Sequence, residues 1–151
     1  MTLQRQLRKP HGYDVWLLVG QTNIKVHRAL NARLSTLNLS LAQHEILLNI
    51  LRDSGLTQKQ LSEKLLVVKS NISALLKKLE TRGLVRRTPD PQDSRNNQLT
   101  LTERGEALVQ ESFALQNRVV KAMVSVVSDA ELKQMADVMT RVSEAIDQLD
   151  T

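Results

Sequence analysis

Six residues in one short stretch, Lys69, Ser70, Asn71, Ser73, Ala74 and Lys77, set ammonium, hydroxyl, amide and methyl groups at helical spacing. Among them Ile72, Leu75, Leu76 and Leu79 fall at i, i+3, i+4 and i+7, the pattern of a helix with one buried stripe. From Lys69 to Arg82 the outward positions are short and polar or cationic, with no aromatic and with Glu80 the one acid. Such a face can enter a DNA major groove, where amides and hydroxyls reach base edges and lysines meet phosphates. The same pattern also fits a plain solvated helix face, so the neighbouring chain must decide between them.

Other chemistry has little support. The chain has no cysteine, which removes disulfides, thiolate redox sensing and sulfur-ligated metals. His11, His27 and His44 are spread too widely to suggest a metal site. No nucleophile–base constellation or phosphate-binding glycine loop is visible, and only five glycines occur. The expectation is therefore a protein that is not an enzyme and carries no cofactor and no metal. Nothing resembles a signal peptide, and no apolar run approaches the roughly 20 residues that span a bilayer. A soluble, cytoplasmic chain is expected, with no membrane partner.

The length of 151 residues suits one domain elaborated by a dimerisation region. Net charge is +5, distributed unevenly: residues 1–68 carry +5, residues 69–95 carry +4 and residues 103–151 carry −4. Over residues 69–95, seven Lys/Arg stand against three Asp/Glu. A basic region on an otherwise balanced chain is the footprint of a nucleic-acid binder, although an anionic membrane surface would also accept it.

The elements that must position this stretch follow from periodicity and caps. After a basic lead ending at Pro10, a helical pattern runs from near Tyr13 through Val15, Leu18, Val19, Ile24, Val26, Leu30 and Leu34 to about Leu37. Gly20 inside it suggests a bend or a close helix contact. Ser40 with Gln43, and Thr57 with Gln60, have capping-box spacing and open two shorter helices. The turn at 67–70 then leads into the stretch described first, giving a helix-turn-helix unit. Gly83 ends it as a left-handed stop. Residues 84–88 and 97–101 read as two strands around an eight-residue polar loop, Pro89 to Asn96, longer than an ordinary hairpin loop. Helix-turn-helix followed by such a hairpin is a winged helix.

Thr102 caps a further long helix, and Ser128 with Glu131 opens the last one. There Leu132, Met135, Met139, Val142, Ile146 and Leu149 form an a/d seam of two and a half heptads. This seam fits either packing on its own domain or a dimer; two long terminal helices leave more apolar surface than one small core requires, which favours the dimer. The expected fold is mainly α with a small β-hairpin wing: a winged helix-turn-helix with long N- and C-terminal dimerisation helices. Residues 1–37 and 106–151 are expected to form the dimerisation region, and 38–105 the DNA-binding region, within one compact chain.

The middle of the chain resembles the MarR family of winged-helix transcription regulators. The resemblance is carried by Leu61, Glu63, Lys64 and Leu65; Leu75-Leu76 and Leu79-Glu80; Gly83-Leu84-Val85-Arg86-Arg87; Pro89-Asp90-Pro91, Asp93 and Arg95; and Leu101-Thr102-Glu103-Arg104-Gly105. It implies a homodimer on a pseudo-palindromic operator in double-stranded DNA, acting as a repressor. Position by position, it places Ser70, Asn71, Ser73, Ala74 and Lys77 on the base-reading face, with Lys69 beside them. Arg95 matches the wing-tip arginine and Asp93 the acid that orients it, while Arg86 could contact backbone phosphate. Physical chemistry agrees: asparagine pairs bidentately with adenine, and a wing-tip arginine is drawn to a narrow minor groove. The chain departs from the family at Leu66, where a glycine is frequent, at Val68, where a serine or threonine cap is frequent, and at Ala74, where a long side chain is common. A methyl at Ala74 gives up a guanine contact and offers one to thymine.

The resemblance also implies release from DNA by a small aromatic or lipophilic effector. Tyr13, Trp16, His27 and His44 lie on or near helices that could line a cleft for it. Without cysteine, the peroxide-sensing branch of the family is no analogy. Two alternatives keep parts of this pattern: a ligand-independent regulator that displaces other DNA-bound proteins, and a winged-helix protein-interaction module. The basic balance of residues 69–95 favours DNA over the latter.

Overall fold

The computed structural model describes residues 9–65, 71–90 and 97–150, and divides into two compact units, residues 1–115 and 116–151. In the first unit α1 spans Tyr13–Leu34 and passes into a 3-10 turn at Ser35–Leu37, so the last turn of the expected helix is tightened. Asn38 then breaks the run with a φ of 52°. At Gly20 the helix is uninterrupted, and a Cβ placed there would meet nothing within 4 Å. The glycine is thus neither a break nor a site of close contact among the described residues.

Helix α2 (Leu41–Arg52) and helix α3 (Gln58–Lys64) both start at complete capping boxes, Ser40 with Gln43 and Thr57 with Gln60. In each, the cap hydroxyl accepts from the N3 amide and the Gln side chain accepts from the cap amide, satisfying two orphan donors. Between them lies a short strand that periodicity did not predict, β1 at Leu56–Thr57. Two residues cannot show alternation. The strand exists because Leu56 and Thr57 pair with Leu99 and Gln98, more than 40 residues away.

Helix α4 (Ile72–Thr81) buries Ile72, Leu76 and Leu79 against the core. It begins at Ile72, because Asn71 takes a φ of 65° and stands outside the helix as its cap. The far end is a Schellman stop: the amide of Gly83, at φ 68°, donates to the Glu80 carbonyl (2.8 Å), and that of Leu84 to the Leu79 carbonyl (3.0 Å).

The strands β2 (Val85–Pro89) and β3 (Asn97–Leu101) pair antiparallel from Val85↔Leu101 to Pro89↔Asn97, and the sheet order is β1-β3-β2. The first strand is one residue later than expected, because Leu84 is spent closing α4. Most of the expected wing loop, residues 91–96, lies outside the described residues. The core of the unit is built from Leu34, Ile46, Leu47, Ile50, Leu61, Leu76, Leu79, Leu99 and Val109, all essentially inaccessible.

Helix α5 (Glu103–Val124) starts at Thr102, whose hydroxyl donates to the Gly83 carbonyl (2.6 Å) and accepts from the Gly105 amide (3.1 Å). Gly105 faces the Leu84 carbonyl so closely that a Cβ would lie 2.1 Å from its oxygen. In the second unit α6 (Asp129–Asp147) opens at the Ser128–Glu131 capping box and leads into a 3-10 turn at Gln148–Asp150. Its apolar seam is not buried: Met135 and Ile146 are each 55 % exposed, and no residue of the helix is fully covered.

Two stability outcomes follow from these joints. Gly105→Ala should destabilise the chain by about 1–3 kcal/mol, as overpacking against immovable backbone does, measured by denaturant unfolding. Ser40→Ala should cost about 1 kcal/mol through loss of the cap, read from the same midpoint shift.

Candidate nucleic-acid interface

The outward ridge of α4 is formed by Ser73, Lys77 and Lys78, all exposed, with Ala74 half-covered beside them. It stands between two grooves. One, of about 690 Å³, lies toward α3 and is lined by Gln58, Lys59, Ser62, Glu63, Asn71, Ile72 and Ser73. The other, of about 590 Å³, lies toward the start of α2, where Asn38 and Gln43 face Ala74, Lys77, Lys78, Thr81 and Arg82. A ridge flanked by grooves, with its apolar stripe buried behind it, is the shape that can follow a major groove.

Asn71 is exposed and makes no capping bond with its own side chain, so its amide is not used up by the helix start. The left-handed backbone that places it there is one that asparagine tolerates better than most residues. Of the expected base-reading residues, Asn71, Ser73, Ala74 and Lys77 therefore share one end and one side of α4. Lys69 and Ser70, with Leu66 and Val68, lie outside the described residues, as do Asp93 and Arg95 of the wing.

Arg86 and Arg87 are adjacent in β2, and strand alternation sends them to opposite faces. Arg86 is exposed. Arg87 turns toward α4, where its Nε lies 2.9 Å from Glu80 Oε1, an ion pair by distance whose angle is not that of a hydrogen bond. Its Nη1 donates to Gln58 Oε1 (3.2 Å), and Gln58 Nε2 donates to Ser73 Oγ (2.5 Å). Arg82 donates to the carbonyls of Asn38 (2.7 Å) and Leu37 (3.3 Å), tying the end of α4 to the turn after α1. Lys77 and Lys78 make no ion pair among the described residues. Gln58, Lys78 and Arg87 were not singled out from the sequence as site residues. Strand alternation in β2 separates Arg87 from Arg86, but only the folded contact reveals Gln58.

The four residues considered for an effector are dispersed. Tyr13 and Trp16 are neighbours, with ring centroids 5.4 Å apart and Lys9 Nζ 5.3 Å from the Tyr13 ring. They border a small groove of about 310 Å³ with Pro10, His11 and Gly12. His27 is half-buried, eleven residues beyond Trp16 and so roughly 16 Å further along α1. His44 is buried in the core of the first unit, its Nδ1 2.9 Å from Ser112 Oγ. Ser112 Oγ also lies 3.1 Å from the Val109 carbonyl oxygen. Among the described residues no cluster of three or more His, Cys, Asp or Glu could hold a metal ion. No helix among them is long and apolar enough to cross a membrane.

Comparison with known proteins adds the family. A MarR family model matches residues 37–96. An uncharacterized HTH-type transcriptional regulator of Bacillus cereus is 30% identical over 132 residues, covering 87% of this chain and 88% of the relative. Apo MarR from E. coli superposes with a TM-score of 0.70 at 26% identity, over 90% of this chain and 98% of that one. A mutant E. coli MarR complexed with operator DNA gives 0.76 at 24% identity, over 88% and 98%. The buried stripe of α4, its exposed polar ridge and the paired strands behind it occur here in a matching chain: it belongs to the MarR family of winged-helix, DNA-binding transcription regulators and is not an enzyme.

Proposed function

We propose that the chain is a homodimeric repressor that binds a pseudo-palindromic operator in the cytoplasm and is released by a small aromatic or lipophilic effector. The observation that carries the DNA-reading part is the exposed ridge of Asn71, Ser73, Ala74 and Lys77 on a helix whose other side is buried. In each subunit α4 enters the major groove, and Lys69 and Ser70 are assigned to the same DNA contact. Arg86 meets backbone phosphate, and Arg95, oriented by Asp93, reaches the flanking minor groove. The operator-bound E. coli relative supports this arrangement.

Dimerisation is assigned to residues 1–37 and 106–151, with 38–105 as the DNA-binding region. It is supported by apolar side chains left open on two helices: Val15, Trp16 and Leu18 on α1, and Met135, Met139, Val142 and Ile146 on α6. Exposed apolar surface of this extent on a charged chain is surface for a partner, and a second copy supplies the same stripe. The effector reading rests on Tyr13 and Trp16, which form an aromatic pair beside Lys9, a cation suited to an aromatic anion. His27 and His44 support it less, one distant along the helix and the other committed to Ser112.

Purified protein should select genomic fragments whose footprints show half-sites about one helical turn apart; no preference over random DNA at physiological salt defeats the reading. Arg95→Ala should weaken operator binding by about 1–3 kcal/mol, and Arg86→Ala should weaken all sequences alike and lower the salt slope by about one. Met139→Glu with Ile146→Glu should convert a dimer to monomers in analytical ultracentrifugation, and an unchanged sedimentation coefficient would refute the role of α6.

A further inference from the structure

The wing strand and the reading helix are joined by a directed chain of side-chain contacts, Glu80 to Arg87 to Gln58 to Ser73. We propose that this relay biases Ser73 toward donating a hydrogen bond to DNA, so that each subunit disfavours cytosine at the base Ser73 faces. The inference rests on the reading of α4 as the helix that enters the major groove.

The direction follows from donor chemistry. A guanidinium has only N–H donors. The Arg87 guanidinium is held by Glu80, both side chains being less than one-third exposed (27% and 29%). Gln58 must therefore present its carbonyl oxygen to Arg87; the flipped amide would set donor against donor. Its NH₂ group is then directed to Ser73, 2.5 Å from the hydroxyl oxygen. An oxygen that accepts so close a donor cannot turn its own proton the same way. The Ser73 proton is left to the open side of the ridge, and accepting one bond strengthens its donation of the next.

In the major groove that polarity is a selection rule. Guanine offers N7 and O6, adenine N7 and thymine O4 as acceptors, whereas cytosine offers only its N4 amino donor. A hydroxyl free to rotate would accept from cytosine as readily as it donates to the others. One that already accepts from Gln58 keeps a single lone pair beside a strengthened proton, and so favours the acceptor bases. Gln58 and Arg87 are on this account positioning residues that never touch the base, and Glu80 holds Arg87 in place.

The test is selection of bound duplexes from a randomised library, with sequencing of the pools for wild type, Ser73→Ala, Gln58→Glu, Gln58→Leu and Arg87→Met. Wild type should deplete cytosine roughly three- to tenfold at one symmetric position in each half-site, the range of one net hydrogen bond. Ser73→Ala should abolish that depletion and leave the other positions unchanged. In Gln58→Glu the carboxylate still accepts from Arg87 but now accepts from Ser73 as well. The serine lone pairs then turn to the groove, and cytosine should rise to parity or above. Gln58→Leu, which adds no charge, and Arg87→Met, which lets the amide flip, should each lose most of the discrimination. If Ser73→Ala retains the wild-type profile at every position, or the Gln58 and Arg87 variants keep full cytosine depletion, the relay is overturned. A wild-type pool with no motif would instead bring down the DNA-reading assignment of α4 itself.

Discussion

The Leu84 backbone is where the end of α4, the root of β2 and the start of α5 are put together. Its amide closes α4 through the Leu79 carbonyl, and its own carbonyl accepts from the Thr102 amide (3.1 Å) as the chain enters α5. A missing side chain at Gly105 lets the first turn of α5 lie directly against that carbonyl. Thr102 adds its bond to the Gly83 carbonyl. The end of the reading helix, the root of the wing and the start of the next helix are thereby fixed to one short segment. Backbone packed in this way resists gradual deformation, so the angle between α4 and the β2–β3 pair is set at residues 83–85.

Charge is allocated more narrowly than composition implies. Residues 69–95 contain seven cations, but Arg82 is committed to two carbonyls and Arg87 to Glu80 and Gln58. Among the described residues this leaves Lys77, Lys78 and Arg86 open to solvent. The paired cations are structural: Arg82 satisfies carbonyls at the turn that ends α1, as a cation at a helix C-terminus does. Counting Lys and Arg along the chain overstated the charge left unpaired in this stretch.

What could be read before folding was whatever is encoded within a few residues. All three capping boxes, the glycine stop at Gly83 and the second wing strand stand where spacing placed them. Features that depend on distant partners could not be read that way. Strand β1 exists only through its pairing with β3, and the fate of His44 depends on Ser112, 68 residues away. Asn71 lies between these cases: its backbone type is common for asparagine, but nothing local says that the helix begins after it and not before. Apolar periodicity in α6 was clear, yet periodicity does not say whether a stripe faces its own core or another chain. Nor does it reveal that no residue of α6 is fully covered in the folded chain.

The two ends of α4 are secured by different means. At the far end, a Schellman pair of backbone bonds and the Arg82 guanidinium grip the last turn. At the leading end, the cap contributes no side-chain bond, and the first turn is held by the burial of Ile72, 5% exposed, and by the amide on Ser73. Mechanically the two ends differ in kind: the base is pinned by directional backbone bonds, and the tip mainly by packing, which has no preferred direction.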